Sequence, residues 1–138
     1  MKLKLQLFLL GWLFLGCRDS GEFPSAAGPY VYYYINNQTS RDLFTSGSFN
    51  SGNDFDTVVL PYGMTTNFIF TQAYYPEFGK PSASLNLINL MDQDSINYKV
   101  VYSQEPLIDS LWETHDYDSI PNFSEEHWTL TVVDSMLQ

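Results

Sequence analysis

The feature that most constrains the fold is a series of short runs rich in Tyr, Phe, Val and Ile that begins at Tyr30. Gly, Pro, Asn and Asp interrupt these runs at short intervals, which is typical of β-strands separated by turns. The pattern predicts seven strands, at residues 30–36, 42–49, 55–60, 66–74, 83–90, 96–103 and 127–133.

Alternation within the runs supports this interpretation. Residues 96–103 place Ile96, Tyr98, Val100 and Tyr102 on one face, as expected of a half-buried antiparallel strand. In 127–133 the residues expected to face the core are Trp128, Leu130 and Val132. Seven such strands match an immunoglobulin-like sandwich, so we predict an all-β, immunoglobulin-like antiparallel β-sandwich. For 105–126 we predict a long connection with one short helical turn around Ser110 to Thr114.

The N-terminal residues have the layout of a secretion signal. Lys2 and Lys4 precede an apolar segment, residues 5–15, that is too short to span a bilayer as a helix. The alternative is a buried or interfacial N-terminal helix. The segment 13–17, "LFLGC", resembles the lipobox of bacterial lipoproteins. That resemblance implies that lipid is attached to the Cys17 thiol, a good sulfur nucleophile, and that the leader is cleaved before it.

A lipid on Cys17 also explains the use of a single cysteine. An exported domain with one cysteine forms no internal disulfide, and lipidation occupies the thiol. Residues 18–29 are rich in Ser, Gly, Ala and Pro, which is typical of a flexible tether. We therefore divide the chain into a signal peptide (1–16), a lipidated tether (17–29) and one β-sandwich domain (30–138). The membrane is then a partner through the lipid on Cys17.

The chain is strongly acidic, with 6 Lys and Arg against 16 Asp and Glu. Loss of Lys2 and Lys4 would leave 4 − 16 = −12. Nucleic acid is therefore excluded as an expected partner.

Asp19 and Glu22 follow the cysteine closely, and this resembles the signal that sends lipoproteins of Bacteroidota to the outer face of the outer membrane. We expect an exported protein anchored to the outer membrane, with the cell surface as its proposed side.

The order of four segments carries a wider resemblance. "INNQTSRDL", "LPYGM", "DSINYKVVYS" and "HWTLTVVDSML" resemble the small β-sandwich lipoproteins of the Bacteroidota envelope, many of which have no assigned function. The resemblance covers residues 30–138 and contains no catalytic motif. It implies a fold and a location more than an activity.

A triplet of Asp, then Ser or Thr, then an aliphatic residue or Met occurs five times. It resembles the acceptor motif for protein O-glycosylation in the Bacteroidota periplasm. The alternative is structural, because Asp-Ser pairs also form turns before strands. The candidate glycosylation sites are Thr57, Ser95, Ser110, Ser119 and Ser135.

Tyrosines are concentrated in two places. Tyr30, Tyr32 and Tyr34 share one strand face and Tyr33 lies on the other, so they either fill the core or form a contact surface. A second group, Tyr74, Tyr75 and Phe78, lies in a loop of unusual apolar content, and we predict a contact surface there.

Acids are concentrated in 113–126, but this segment lacks the glycine of a calcium loop, and two histidines are too few for a zinc site. We expect a solvated acidic loop, no metal and no cofactor.

Catalytic motifs are also missing. The expected role is a non-catalytic accessory or interaction module that binds an envelope protein or glycan. The alternative is a small envelope hydrolase or inhibitor with its site in 113–126.

Overall fold

The computed structural model describes residues 30–72, 79–94, 97–120 and 123–138. Eight strands account for most of them, joined by one helical turn at Pro81–Ser84 and by 3-10 turns at Asp109–Leu111 and Asp134–Met136. The strands are β1 Tyr30–Asn37, β2 Leu43–Phe49, β3 Asp54–Leu60, β4 Met64–Gln72, β5 Leu85–Asp94, β6 Asn97–Gln104, β7 Trp112–Ile120 and β8 Phe123–Val132.

The strands form two four-stranded sheets. Sheet A has the order β4-β1-β8-β7 and sheet B the order β3-β2-β5-β6. All pairs are antiparallel except β1 with β8. The prediction of an all-β, sandwich-like architecture is therefore confirmed. The immunoglobulin order, in which the first two strands share a sheet, is not found among the described strands, because β1 and β2 lie in different sheets.

The structure has one strand more than the sequence predicted. The additional strand is β7, and it lies in 105–126, where we had expected a connection. The 3-10 turn at Asp109–Leu111 is close to the predicted helical turn, but Trp112 already begins β7, and β8 begins at Phe123. The expectation of a long connection and of a solvated acidic loop was therefore wrong. β7 lies at the edge of sheet A, and its outward residues Glu113 and His115 are exposed. A strand with one solvated face needs apolar residues on its other face only, so its sequence shows a weak apolar pattern.

One hydrophobic core lies between the sheets. Tyr33 and Leu130 of sheet A and Leu43 and Ile88 of sheet B are buried in it. Across the gap, Phe55 of β3 contacts Phe68 of β4 with ring centroids 5.7 Å apart. The predicted inward face of β8 is confirmed, because Leu130 and Val132 are buried and Trp128 packs against the core.

In β6 the inward residue differs from the expectation. Val101 is buried, whereas Tyr98 and Val100 are about half exposed, at 51% and 48%. The register of β5 with β6 shifts between Leu90 and Met91, which changes which residues face inward. The apolar face of this strand therefore points partly to solvent.

The turn that follows β1 is held by a buried asparagine. Asn37 donates hydrogen bonds to the backbone oxygens of Arg41 (2.9 Å) and Leu60 (2.7 Å) and accepts from the Thr39 N–H (3.1 Å) and hydroxyl (2.7 Å). Asparagine is favoured in turns because its side chain can pair with nearby backbone groups in this way. Gly63, with φ of +70°, takes the left-handed conformation in the turn after β3, which glycine adopts without steric cost.

Candidate functional site

The outer face of sheet A is the most distinctive surface of the described chain. Strand alternation in β1 buries Tyr33 completely and leaves Tyr30, Tyr32 and Tyr34 half-buried on the outward face. Of the two alternatives for the tyrosines, the core interpretation therefore holds for Tyr33 alone. The other three contribute to a surface.

Pairing of the strands extends this surface across the whole sheet. Tyr32 lies opposite Phe70 of β4 and His127 of β8, and His127 lies opposite His115 of β7. The ring centroid of Tyr32 is 5.0 Å from that of Phe70 and 4.9 Å from that of His127. We call these four residues the aromatic row. It crosses all four strands of the sheet.

Rings on both sides widen the aromatic row. Tyr30 stacks on Phe70 at 5.5 Å, and Tyr34 stacks on His127 at 5.3 Å. The Phe70 and His127 rings are tilted by 39° and 49° to that of Tyr32, so the rings do not close into a parallel stack. Phe70 keeps 54% of its surface exposed, and His115 is exposed. Apolar ring surface therefore reaches solvent along the row.

Polar groups accompany the rings. The Glu125 carboxylate lies 3.4 Å from Nε2 of His127. The exposed Glu113 and the half-buried Thr129 form a cross-strand pair next to His115 and His127. The face thus combines apolar ring surface with hydrogen-bond donors and acceptors, which is the chemistry that orients a polyhydroxylated or peptide-like ligand.

Tyr33 supports the site from inside the sandwich. Its hydroxyl donates a hydrogen bond of 2.9 Å to the Gly79 backbone oxygen. Burial raises the pKa of Tyr33 to about 12, with smaller contributions from Glu126 and Asp109. This side chain is therefore neutral and structural, and it fixes the chain before Pro81–Ser84 to the back of β1.

The candidate glycosylation sites lie apart from the aromatic row. Thr57 is exposed on β3, and Ser110 and Ser135 are exposed in the two 3-10 turns. Ser119 belongs to β7, but its side chain is outside the description, as is all of Ser95. Cys17 and the predicted contact loop of Tyr74, Tyr75 and Phe78 also lie outside the described residues. Lipidation and that contact surface therefore stay predictions.

The acidic segment does not assemble a site from the side chains that are described. Glu125 and Glu126 are adjacent in β8 and point to opposite faces, since Glu125 meets His127 whereas Glu126 accepts from Nε1 of the inward Trp128 at 3.4 Å. Across residues 30–72, 79–94, 97–120 and 123–138, no group of three or more His, Cys, Asp and Glu is placed to hold a metal ion.

A second exposed row crosses sheet B. Register pairs Phe44 with Val59 and with Met91, and Met91 with Val100. Tyr98 packs edge-on against Phe44 at 5.1 Å. This row joins the rings of Phe44 and Tyr98 to the side chains of Val59, Met91 and Val100, and its members include no carboxylate and no imidazole, unlike the outer face of sheet A.

Sequence reasoning found one of the four residues of the aromatic row, Tyr32. The alternation of tyrosines in β1 separates Tyr33 from the other three without strand pairing. Phe70, His115 and His127 are distant in sequence and join Tyr32 only through the register of β4, β7 and β8. No local signal in the sequence indicates that juxtaposition.

No family model, curated protein or solved structure matches this chain. In the part of the chain that the structure describes, no helix has the length and apolar character needed to cross a bilayer.

Proposed function

We propose that this chain is a lipid-anchored, non-catalytic interaction module of the bacterial cell envelope, and that it binds a neutral glycan through the aromatic row. The observation that carries the binding part is the line of cross-strand partners Phe70, Tyr32, His127 and His115 across sheet A. Aromatic rings stack on the apolar faces of sugars, and their polar neighbours bind the hydroxyl groups.

Spacing supports a glycan as the ligand. Neighbouring strands lie about 4.8 Å apart, and the ring centroids along the row follow that interval at 5.0 and 4.9 Å. This is close to the length of one pyranose unit, so successive sugars would meet successive strands. The net charge of −10 favours a neutral glycan, because an acidic one would be repelled.

The anchor rests on the sequence. The lipobox resemblance at Cys17, the acids that follow it and the resemblance to Bacteroidota lipoproteins support a lipid-anchored protein of the outer membrane, facing the cell surface. β1 begins at Tyr30, directly after the predicted tether 17–29. A tether of this length lets a face of the domain meet a partner without contact with the anionic membrane surface.

The alternative of a small hydrolase or inhibitor requires carboxylates that converge in a pocket. The opposed directions of Glu125 and Glu126 favour the interaction module.

Exposure of Thr57, Ser110 and Ser135 supports a second proposal, that the chain carries O-linked sugar. Protein from the native host should then exceed the mass of polypeptide plus lipid, and an intact mass equal to that sum would refute the modification.

The anchor is tested by cell fractionation with surface protease, comparing the native chain with Cys17→Ala. We expect the native protein in the outer membrane and protease-sensitive on intact cells, and the variant released from the membrane. Retention of the variant in the membrane fraction would contradict the anchor.

The binding part is tested separately, by applying the lipidated protein in detergent to an array of neutral and acidic glycans. We expect binding confined to neutral glycans. Binding to none of them would contradict the proposed ligand and leave the anchor unaffected.

A further inference from the structure

A cleft of about 490 Å³ opens between the edges of the two sheets, where β3 and β4 run side by side. Three rings in contact form its apolar floor, with centroids of Phe49 and Phe55, and of Phe55 and Phe68, each 5.7 Å apart. The lining residues are Phe49, Asp54, Phe55, Asp56, Val58, Phe68, Ile69 and Phe70. The volume is that of a small ligand or of a few side chains.

Two local irregularities shape this cleft. The β1–β4 register passes from Ile69 to Asn67, so Phe68 is an additional residue in β4, and both Phe68 and Ile69 are buried. On the other wall, a Cβ at Gly47 would collide with the Leu87 backbone oxygen and with the Phe55 ring. Glycine at 47 therefore lets the Phe55 ring lie across β2.

β3 presents an open strand edge beside the cleft. Sheet B has the order β3-β2-β5-β6, so among the described strands β3 is paired on one side only. Its N-terminal end alternates the exposed carboxylates of Asp54 and Asp56 with the half-buried ring of Phe55, up to a bulge in which Asp56 and Thr57 together oppose Ser46 of β2. An open edge of this kind supplies backbone donors and acceptors to an added strand.

We propose that this edge binds an extended peptide segment in which basic and apolar residues alternate. The segment adds to β3 as a fifth strand of sheet B. Its apolar side chains enter the cleft toward Phe55 and Phe68, and its Lys or Arg side chains lie opposite Asp54 and Asp56. Charge selects the basic pattern, because both exposed carboxylates lie on the edge strand and the whole chain carries a net charge of −10.

This site goes beyond the proposed glycan function and uses a different part of the domain. Phe70 lines the cleft and also belongs to the aromatic row, so the variants that test the cleft leave Phe70 unchanged. The competing role for Asp54 and Asp56 is to keep the edge from pairing with other chains, since charged residues on an edge strand prevent aggregation.

The test measures fluorescence anisotropy of the detergent-purified chain with three labelled peptides. The first is Lys-Phe-Lys-Val-Lys-Phe, the second is Lys-Lys-Lys-Phe-Val-Phe with the same composition, and the third is the first with its backbone nitrogens methylated. We expect binding of the first peptide and at least about tenfold weaker binding of the other two, because they lose the alternation or the strand hydrogen bonds. Equal binding of all three would overturn the proposal.

Protein variants complete the test. The double variant Asp54→Asn and Asp56→Asn should weaken binding of the first peptide by about tenfold. The control, Asp42→Asn with Glu105→Gln, makes the same change of charge at two exposed acids outside both proposed sites and should change binding by less than about twofold. Equal loss of peptide affinity in the two double variants would show that the proposed site is wrong. The site is also wrong if the wild type binds no peptide and the Asp54 and Asp56 variant aggregates, because the two carboxylates then only protect the edge.

Discussion

The carboxylate of Asp109 holds Ser82, which lies 27 residues earlier, by accepting its backbone N–H at 2.9 Å and its hydroxyl at 2.7 Å. Asp134 repeats the arrangement with Ser40, accepting the N–H at 3.1 Å and the hydroxyl at 3.2 Å. Both aspartates begin a 3-10 turn, and both belong to an Asp-Ser triplet. The aspartates of these two triplets therefore have a structural role, while the serines that follow them stay exposed.

Removing the Asp109 carboxylate should loosen the helical turn at Pro81–Ser84. We expect Asp109→Ala to lower the free energy of unfolding by about 1 kcal/mol, because two hydrogen bonds at an exposed site are lost. The control is Asp56→Ala, the aspartate of another triplet, for which no hydrogen bond to a described residue is found. Urea unfolding measures both. Equal effects of the two substitutions would contradict the role of Asp109.

Thr45 is buried in β2, and its hydroxyl has no hydrogen-bond partner among the described residues. Thr45→Val keeps the shape and removes the unpaired polar group, so it should raise the free energy of unfolding by about 1 kcal/mol. Thr45→Ser keeps the hydroxyl and removes a methyl group, so it should be destabilising. Thermal unfolding of the three proteins tests the pair. A Thr45→Val protein that is less stable than the wild type would show that the hydroxyl is satisfied.

Tyr33 should make the fold sensitive to alkaline pH. Its pKa is 10.0 in the unfolded chain and about 12 in the folded one, because burial disfavours the phenolate. Below pH 10 both states are protonated and this contribution to stability is complete. Between pH 10 and 12 only the unfolded chain ionises, so stability falls, by about 2 to 3 kcal/mol in total.

The measurement is denaturant unfolding at a series of pH values for the wild type, Tyr33→Phe and Tyr98→Phe. Tyr33→Phe should lose about 1 kcal/mol at pH 8 with its hydrogen bond to Gly79, and its stability should fall less steeply from pH 10 to 12. Tyr98→Phe removes a hydroxyl from a half-exposed side chain and is the control for loss of a tyrosine hydroxyl outside the core. A Tyr33→Phe slope equal to that of the wild type would refute the burial argument.

The strands that sequence reasoning located are those with apolar alternation. β8 shows why this works, since Trp128, Leu130 and Val132 must face the core whatever their neighbours are. β7 shows where it ends, because an edge strand with a solvated outer face and residues such as Glu113 and His115 has little apolar pattern to detect. Alternation also leaves open which of two faces is buried, as Tyr98 and Val100 illustrate.

Register and sheet order are the parts that the sequence could not supply. The additional residue at Phe68 and the shift at Leu90 and Met91 depend on contacts between strands that are distant in the chain. The aromatic row depends on the same information, because it joins one residue from each of four strands. From the sequence we could therefore predict only that the domain has a contact surface. The residues that form the aromatic row could not be predicted.

The central claim is tested most directly by electrophoresis of the detergent-purified protein through gels that contain a neutral polysaccharide to which the wild type binds. We expect Tyr32→Ala to weaken the interaction by about tenfold, because it removes the ring at the middle of the aromatic row. Tyr98→Ala removes an equally large ring from the outer face of sheet B and should migrate as the wild type does. Unchanged binding by Tyr32→Ala, or an equal loss in Tyr98→Ala, would contradict glycan recognition by the outer face of sheet A.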